Sequence, residues 1–499
     1  MPAELPYELW QYIAGFLDMK TLDVIFLVNR TLFSAAQSER YKTMSIGPAS
    51  YLNVPEAKNI LRAPPEVQSS ITRRVKHLVF SYGESEQYYF PKLKQSKIRL
   101  VLLEAKHVLY LFHHMKEKRR LDKAIPIFNR FIDSVPALSS VSVLTLDFHL
   151  FYDNYCVQRL EILHASWPII ADNLRSLSIK TRLDDIPDLL PKTKLNRLET
   201  LAISLQSSSA TFAPGHSAFV ISNNFIPFIA THSGTIQDFS LDIRPGLHFS
   251  AFRSIPRLPL LRKFTLSQCH VNLDQHNFDG FLEFLSIHRS NLQHFEINID
   301  PWGLPSFPSS MDWFSQPWQM IAFPSLRVLK LSIYDFQWRD DICMSSIALF
   351  QHHIDQLSEL KFHQRDLPYS EIAQFFTVFK PSNLQVLSLT IMGLSDQLFR
   401  FLAEELPDLK SLQLTEGEGH RARQNINSVV IHVYRNNDKR LLTFCKDIQN
   451  TDYSRWKLHS LAVEYRYSSL NGETIRAALR SAIPSLCHLD TMGRISFQP

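Results

Sequence analysis

The sequence predicts an α/β protein: a short all-α module over residues 1–41, then an irregular solenoid over 42–499 with parallel strands on its concave face and helices outside. Three observations carry this. Leu5 to Leu17 read at helical spacing, and after Tyr41 a six-residue pattern, aliphatic-x-x-aliphatic-x-aliphatic, takes over. From Val141 onward its copies usually start 24 to 38 residues apart, and the intervals commonly hold a helix-like stretch. A strand and a helix per unit at that period indicates stacked repeats, each burying its aliphatic residues against its neighbours.

In chain order, LPYELWQYIAGFL places Leu9, Ile13, Phe16 and Leu17 at i, i+4, i+7 and i+8, one apolar stripe, with Pro6 where a first helical turn tolerates proline. Asp18 is a candidate cap for a second helix carrying Leu22, Ile25 and Phe26, and Leu32, Ala35 and Ala36 mark a third. A unit of ~40 residues buries too little surface to stand without a staple, so it must dock on something. It could cap the following domain as an amphipathic hairpin, or meet a partner.

Leu5-Pro6-x-Glu8-Leu9, Ile13, Phe16-Leu17, Leu22 and Val28-Asn29-Arg30 together resemble the F-box motif. The resemblance implies binding to the Skp-type adaptor of a cullin-based ubiquitin ligase through Leu5, Pro6, Leu9, Ile13, Leu17, Leu22 and Val28. Many F-boxes carry a tryptophan shortly after the V-x-R; here Thr31, Leu32 and Phe33 follow.

The repeat pattern occurs as LRSLSI from Leu174, LETLAI from Leu198, IQDFSL from Ile236, LRKFTL from Leu261 and LQHFEI from Leu292. It continues as LRVLKL from Leu326, LSELKF from Leu357, LQVLSL from Leu384, LKSLQL from Leu409 and LHSLAV from Leu458. Weaker copies start at Tyr41, Val75, Val141 and Leu486. Stretches from Phe278, Ser370, Ser395 and Glu473 have apolar residues three and four apart and read as helices. These units resemble leucine-rich repeats, and an F-box followed by such repeats is an architecture of substrate receptors. The family's Asn or Cys, eight positions after the first leucine, is present only as Cys269; Arg182, Tyr334, Met392 and Gly417 stand there elsewhere, which implies an irregular arc. Three stretches break the rhythm: a basic insertion near 81–140 with KEKRR at Lys116 to Arg120, a proline- and tryptophan-rich segment at 299–323, and a polar insertion at 416–456.

Net charge is +5, from 53 basic and 48 acidic residues, too balanced to call for nucleic acid. Five scattered cysteines without a C-x-x-C indicate neither a disulfide framework nor a zinc site. Glu4, Glu8 and Asp18 argue against a leader, and the apolar run from Arg99 to Phe112 is interrupted by Glu104, Lys106 and His107, so no membrane span is expected. Glycine-rich phosphate loops, nucleophile elbows and zinc spacings are missing from the sequence, and the adjacent pairs His113-His114 and His352-His353 diverge on a helix. His216 follows Pro214-Gly215 without an identifiable nucleophile partner. No catalytic residue, metal or cofactor is expected.

The expected function is that of a non-enzymatic substrate receptor, cytoplasmic or nuclear, contacting an adaptor, through it a cullin, and a target protein. The rivals are a repeat scaffold without ligase activity and a cryptic hydrolase. If the first, fourth and sixth repeat positions face the core, the third, fifth and seventh share the other face. That register offers small residues early (Ser176, Ser178, Thr200, Ala202, Ser204), then a charged group for the target: His294, Glu296, Asn298, Lys330, Glu359, Lys361 and His363.

Overall fold

A computed structural model describes residues 6–18, 21, 30–46, 65–81, 135–148, 156–206, 220–243, 249–269, 279–300, 321–333, 356–378, 383–416, 430–466 and 472–494. The chain forms two compact units, Met1–Ile236 and Gln237–Pro499.

The first unit begins with the helix Tyr7–Gly15. Pro6 sits just outside it in an extended conformation (φ −52°, ψ 149°), and its carbonyl accepts from the amides of Leu9 and Trp10. Proline suits this place, since its fixed φ is ready-made and its absent N–H is not needed there. The helix lies on a second, Arg30–Arg40. Ala14 meets Ala35 and Ala36, all fully buried, with Trp10 and Leu17 closing the sides. Three alanines let the backbones approach closely, and the two larger residues fill the margins.

Strands β1 (Thr43–Ile46), β2 (His77–Ser81), β3 (Val143–Phe148), β4 (Ser176–Arg182) and β5 (Thr200–Gln206) follow. They pair in chain order and in parallel, with Thr43 opposite His77, His77 opposite Val143, Val143 opposite Ser176 and Ser176 opposite Thr200. The third position of every repeat is therefore aligned, and the weak copies from Tyr41, Val75 and Val141 are genuine strands. Parallel neighbours need crossovers, supplied by the helices Pro65–Thr72 and Cys156–Ile170 and the short helix Ile186–Leu189.

The second unit repeats the plan with β6 (Asp238–Ile243), β7 (Lys263–Cys269), β8 (His294–Asp300), β9 (Val328–Ile333), β10 (Glu359–Leu367), β11 (Val386–Ile391), β12 (Ser411–Glu416), β13 (Ser460–Arg466) and β14 (His488–Arg494). All pair parallel in chain order. Positions one, four and six are buried in repeat after repeat, as in Leu292, Phe295 and Ile297 or Leu384, Leu387 and Leu389. That face meets the helices: Phe264 of β7 packs 5.0 Å from Phe284 of the helix Asp279–His288 and stacks 6.2 Å from Phe295 of β8. The stretch from Ser395 is the helix Asp396–Glu405, capped as its sequence implies by Ser395 Oγ accepting from the Leu398 amide at 3.2 Å. These units are α/β repeats, successive parallel strands joined by helical or looped crossovers.

Between β12 and β13 the structure revises the reading of 416–456 as a polar insertion. The helix Val430–Gln449 runs through it and buries Leu441, Phe444, Cys445 and Ile448, spaced i, i+3, i+4 and i+7, with Phe444 5.4 Å from Phe399. It is the helix of its own repeat. The KEKRR stretch and most of 299–323 lie outside the described residues, although Phe323 at the end of the latter is buried 5.7 Å from Phe295.

Two histidines join helices to the preceding loop in the same way. His232 ends the helix Ile226–His232, with Nδ1 2.8 Å from the Phe228 carbonyl, and Nε2 accepts the Leu195 amide at 2.9 Å. His288 does likewise with the Phe284 carbonyl at 2.7 Å and the Leu258 amide at 2.8 Å. Accepting at Nε2 fixes the neutral Nδ1–H tautomer. Burial pushes both imidazoles below their ordinary pKa, against the opposing effect of the carbonyl bond.

Candidate functional site

Two surfaces carry the residues that the sequence singles out. The first is the helix Tyr7–Gly15, which has two apolar faces rather than one. Trp10, Ala14 and Leu17 turn inward onto Ala35 and Ala36. Leu9 (46% exposed), Tyr12 (67%), Ile13 (37%) and Phe16 (73%) turn outward, the two rings meeting edge to face at 4.8 Å. Of the expected stripe, Leu9, Ile13 and Phe16 therefore share the open face, while Leu17 belongs to the inner packing; Pro6 is exposed at the helix start. Leu5, Leu22 and Val28 lie outside the described residues. Four large apolar side chains on and just beyond this nine-residue helix are more than isolated surface hydrophobics and form an exposed apolar patch.

The second surface is the face of β8 to β10 away from the helices. His294, Glu296, Asn298, Lys330, Glu359, Lys361 and His363 all fall on it, partly exposed. Register dictates their neighbours: Glu296 is opposite Lys330 and Lys330 opposite Lys361. Glu296 lies 3.3 Å from His294 Nε2 and 3.8 Å from Lys330 Nζ, and Glu359 lies 3.5 Å from both Lys330 and Lys361. The His294 hydrogen bond, assisted by the Lys330 charge, holds the Glu296 carboxyl below its ordinary pKa against the effect of burial. Each acid is thus shared between two basic groups, so the expected mixed charge exists but is largely neutralised within the sheet.

His363 lies across onto β11. Its Nε2 is 2.9 Å from Ser388 Oγ and its Nδ1 2.9 Å from Thr390 Oγ1, two residues the sequence reading passed over. Lys361 pairs with Ser388, and the register shifts just beyond Phe362, where the His363 ring still reaches Thr390. A histidine on a serine is the first half of a nucleophile–base arrangement. Here the outer nitrogen meets a hydroxyl instead of a carboxylate, Ser388 is 1% exposed, and burial lowers the His363 pKa. The trio packs as a polar tie between strands, with its serine buried. Among the described residues no group of three His, Cys, Asp or Glu is placed to hold a metal ion, and both adjacent histidine pairs lie outside them.

Within the first unit, Ser176 pairs with Thr200, Ser178 with Ala202 and Lys180 with Ser204, so the small residues named from the sequence also lie side by side. Among the described residues no helix is long and apolar enough to cross a membrane.

No protein-family model and no curated protein matches the chain. Among solved structures it is similar to the leucine-rich repeat-containing protein LegL7 from Legionella pneumophila, at 11% identity over 70% of this chain and 89% of that one, with a TM-score of 0.34.

Proposed function

We propose that the chain is a non-enzymatic interaction subunit: its N-terminal helices dock on the Skp-type adaptor of a cullin ubiquitin ligase, and its repeats hold a target protein. The outward apolar face of Leu9, Tyr12, Ile13 and Phe16 carries this reading, because the helix already satisfies its own packing through Trp10, Ala14 and Leu17 and still presents a second apolar face. Burying a leucine-sized side chain is worth ~1.5–3 kcal/mol, so even partial cover of four such groups supports a stable contact. The motif around Leu5-Pro6 to Arg30 resembles that of adaptor-binding modules, which gives the partner its chemistry. The chain would then supply proximity, raising the effective concentration of a target lysine near activated ubiquitin in the cytoplasm or nucleus, while other subunits perform the reaction.

The target-facing surface would be the β8–β10 face, where a partner exchanges ion pairs with Glu296, Lys330, Glu359 and Lys361 instead of meeting bare charge. A non-ligase scaffold is the second reading, supported by the self-neutralised state of that face. Affinity purification of the full chain from cells separates the two: adaptor and cullin recovered together support the ligase reading, and partners recovered without either support the scaffold.

A further inference from the structure

In the first unit, three helical segments line an open cleft of about 700 Å³ that plays no part in the adaptor reading. That is the size of a small-ligand site, ~300–1,000 Å³. The sequence builds it from polar helix faces. Glu66, Ser69, Ser70 and Arg73 are spaced i, i+3, i+4 and i+7 along and just beyond the helix Pro65–Thr72, so they share one side, and all line the cleft. Ile71, Thr72 and Val75 are buried on the opposite side. Ser34 and Ser38, one turn apart in the helix Arg30–Arg40, face them, with Tyr7 and Arg74 between.

Arg74 is held in place: its Nη1 donates to the Ser34 carbonyl at 2.7 Å and to Ser38 Oγ at 2.9 Å. The Ser38 hydroxyl donates in turn to the Ser34 carbonyl at 3.0 Å and lies 3.3 Å from the Tyr7 hydroxyl. By contrast, the hydroxyls of Ser34, Ser69 and Ser70 and the Arg73 guanidinium make no hydrogen bond or ion pair with another described residue. A fixed guanidinium, a second one without a carboxylate partner among the described residues and three hydroxyls unengaged by them therefore line one cleft. Guanidinium forks match the oxygens of a phosphate, and hydroxyls rotate to donate to whichever oxygen remains.

We propose that this cleft binds a phosphate monoester, with Arg73 and Arg74 on the phosphate oxygens and Ser34, Ser69 and Ser70 completing its shell. Glu66, the single acid among the lining residues, accepts from an N–H or O–H of the group that bears the phosphate. The volume is much larger than a bare phosphate ion needs, which is why the ligand is an ester and not the ion. A small phosphorylated compound and a phosphorylated side chain of a peptide share this chemistry.

The test is calorimetric titration of the full-length chain with O-phospho-L-serine, a phosphoserine peptide, its unphosphorylated counterpart and sodium phosphate. The monoesters bind with one site per chain and weaken with salt, and the unphosphorylated peptide does not bind. Arg73→Gln weakens binding about tenfold and Ser70→Asp, which adds a carboxylate to the cavity, abolishes it. Both residues are exposed, so thermal unfolding stays at the wild-type temperature, and Arg73→Lys restores only part of the loss because it lacks the fork. O-phosphoserine binding as tightly as the peptide identifies a small compound as the ligand, and binding of the peptide alone identifies a phosphorylated segment; either outcome upholds the site. The proposal is overturned if neither monoester binds at millimolar concentration, if only the inorganic ion does, or if Arg73→Gln and Ser70→Asp bind as wild type.

Discussion

Replacing His288 by phenylalanine separates the two roles the imidazole plays at the end of its helix. The ring volume and its contact with Phe284, at 4.4 Å, are broadly kept, but Leu258 loses the acceptor that its amide reaches at 2.8 Å. Leaving a buried N–H unsatisfied costs ~1–3 kcal/mol, and that is the expected loss of stability at pH 7.5. Protonation then supplies an independent check. Burial holds the folded-state pKa of His288 below 6.5, with the nearby Arg257 charge acting in the same direction. As pH falls below 6.5 the unfolded chain takes up a proton that the folded chain refuses, so the wild type is most stable above that pH and loses stability beneath it. The ceiling on this loss is ~1.4 kcal/mol per pH unit per group. The phenylalanine variant has no such proton to refuse, so the gap between the two proteins narrows between pH 6.5 and 5.5. Hydrogen exchange read on a peptide containing Leu258 measures this locally, without assuming that both units unfold together. The amide is protected in the wild type at neutral pH, less protected at pH 5.5, and unprotected in the variant at both. An undiminished gap at low pH, or equal protection of Leu258 in both proteins, would refute the assignment of His288 as a neutral acceptor.

Lys330→Glu places a third acid between Glu296 and Glu359 and lowers stability by ~1 kcal/mol at low salt; the double change Glu296→Lys/Lys330→Glu recovers part of this in denaturant unfolding, and additivity of the two would dissolve the proposed coupling. Trp456→Ala removes a side chain 2% exposed whose Nε1 donates to the Leu406 carbonyl at 3.1 Å, and is expected to cost ~3–5 kcal/mol, seen as loss of protection in β13 before other strands. Ending the chain after Glu416 strips β13 and β14 from the edge of β12; in a stack held by nearest neighbours, aggregation rises while exchange protection in β6 to β8 stays near wild type.

The repeats were legible because alternate burial in a parallel sheet writes itself as aliphatic residues at positions one, four and six. Even the faint copies at Tyr41 and Val75 became strands, since Leu78 and Phe80 retain that alternation. The helix Val430–Gln449 is obscured in the sequence for a different reason. Its polar composition hid a regular stripe of Leu441, Phe444, Cys445 and Ile448, so composition misled where spacing would not. At the N-terminus, helical periodicity identified an amphipathic helix but could not say which of two apolar faces turns inward. Ala35 and Ala36 decide that, because only small residues admit the close approach that buries Ala14. The charged residues of β8 to β10 were legible individually, whereas their mutual pairing follows from register, which needs the strand ends to be known. The histidine ties leave a signature that is visible only in retrospect: Phe228 and His232, like Phe284 and His288, stand four residues apart, with the histidine four before a repeat start. His353 occupies the same offset before Leu357, outside the described residues.

The central claim is that the outward face of the first helix serves a partner and not the fold, and the double variant Leu9→Asp/Ile13→Asp tests it most directly. Both side chains are already substantially exposed, so folding loses on the order of 1 kcal/mol or less and thermal unfolding stays close to wild type. A partner that buries them instead loses two apolar contacts and must desolvate two carboxylates, a penalty of several kcal/mol that amounts to at least a hundredfold in affinity. Purified full-length chain titrated with the Skp-type adaptor should bind as wild type and fail as the variant, with the melting temperature unmoved. Adaptor binding that survives the double substitution, or a melting transition that collapses with it, would contradict the account.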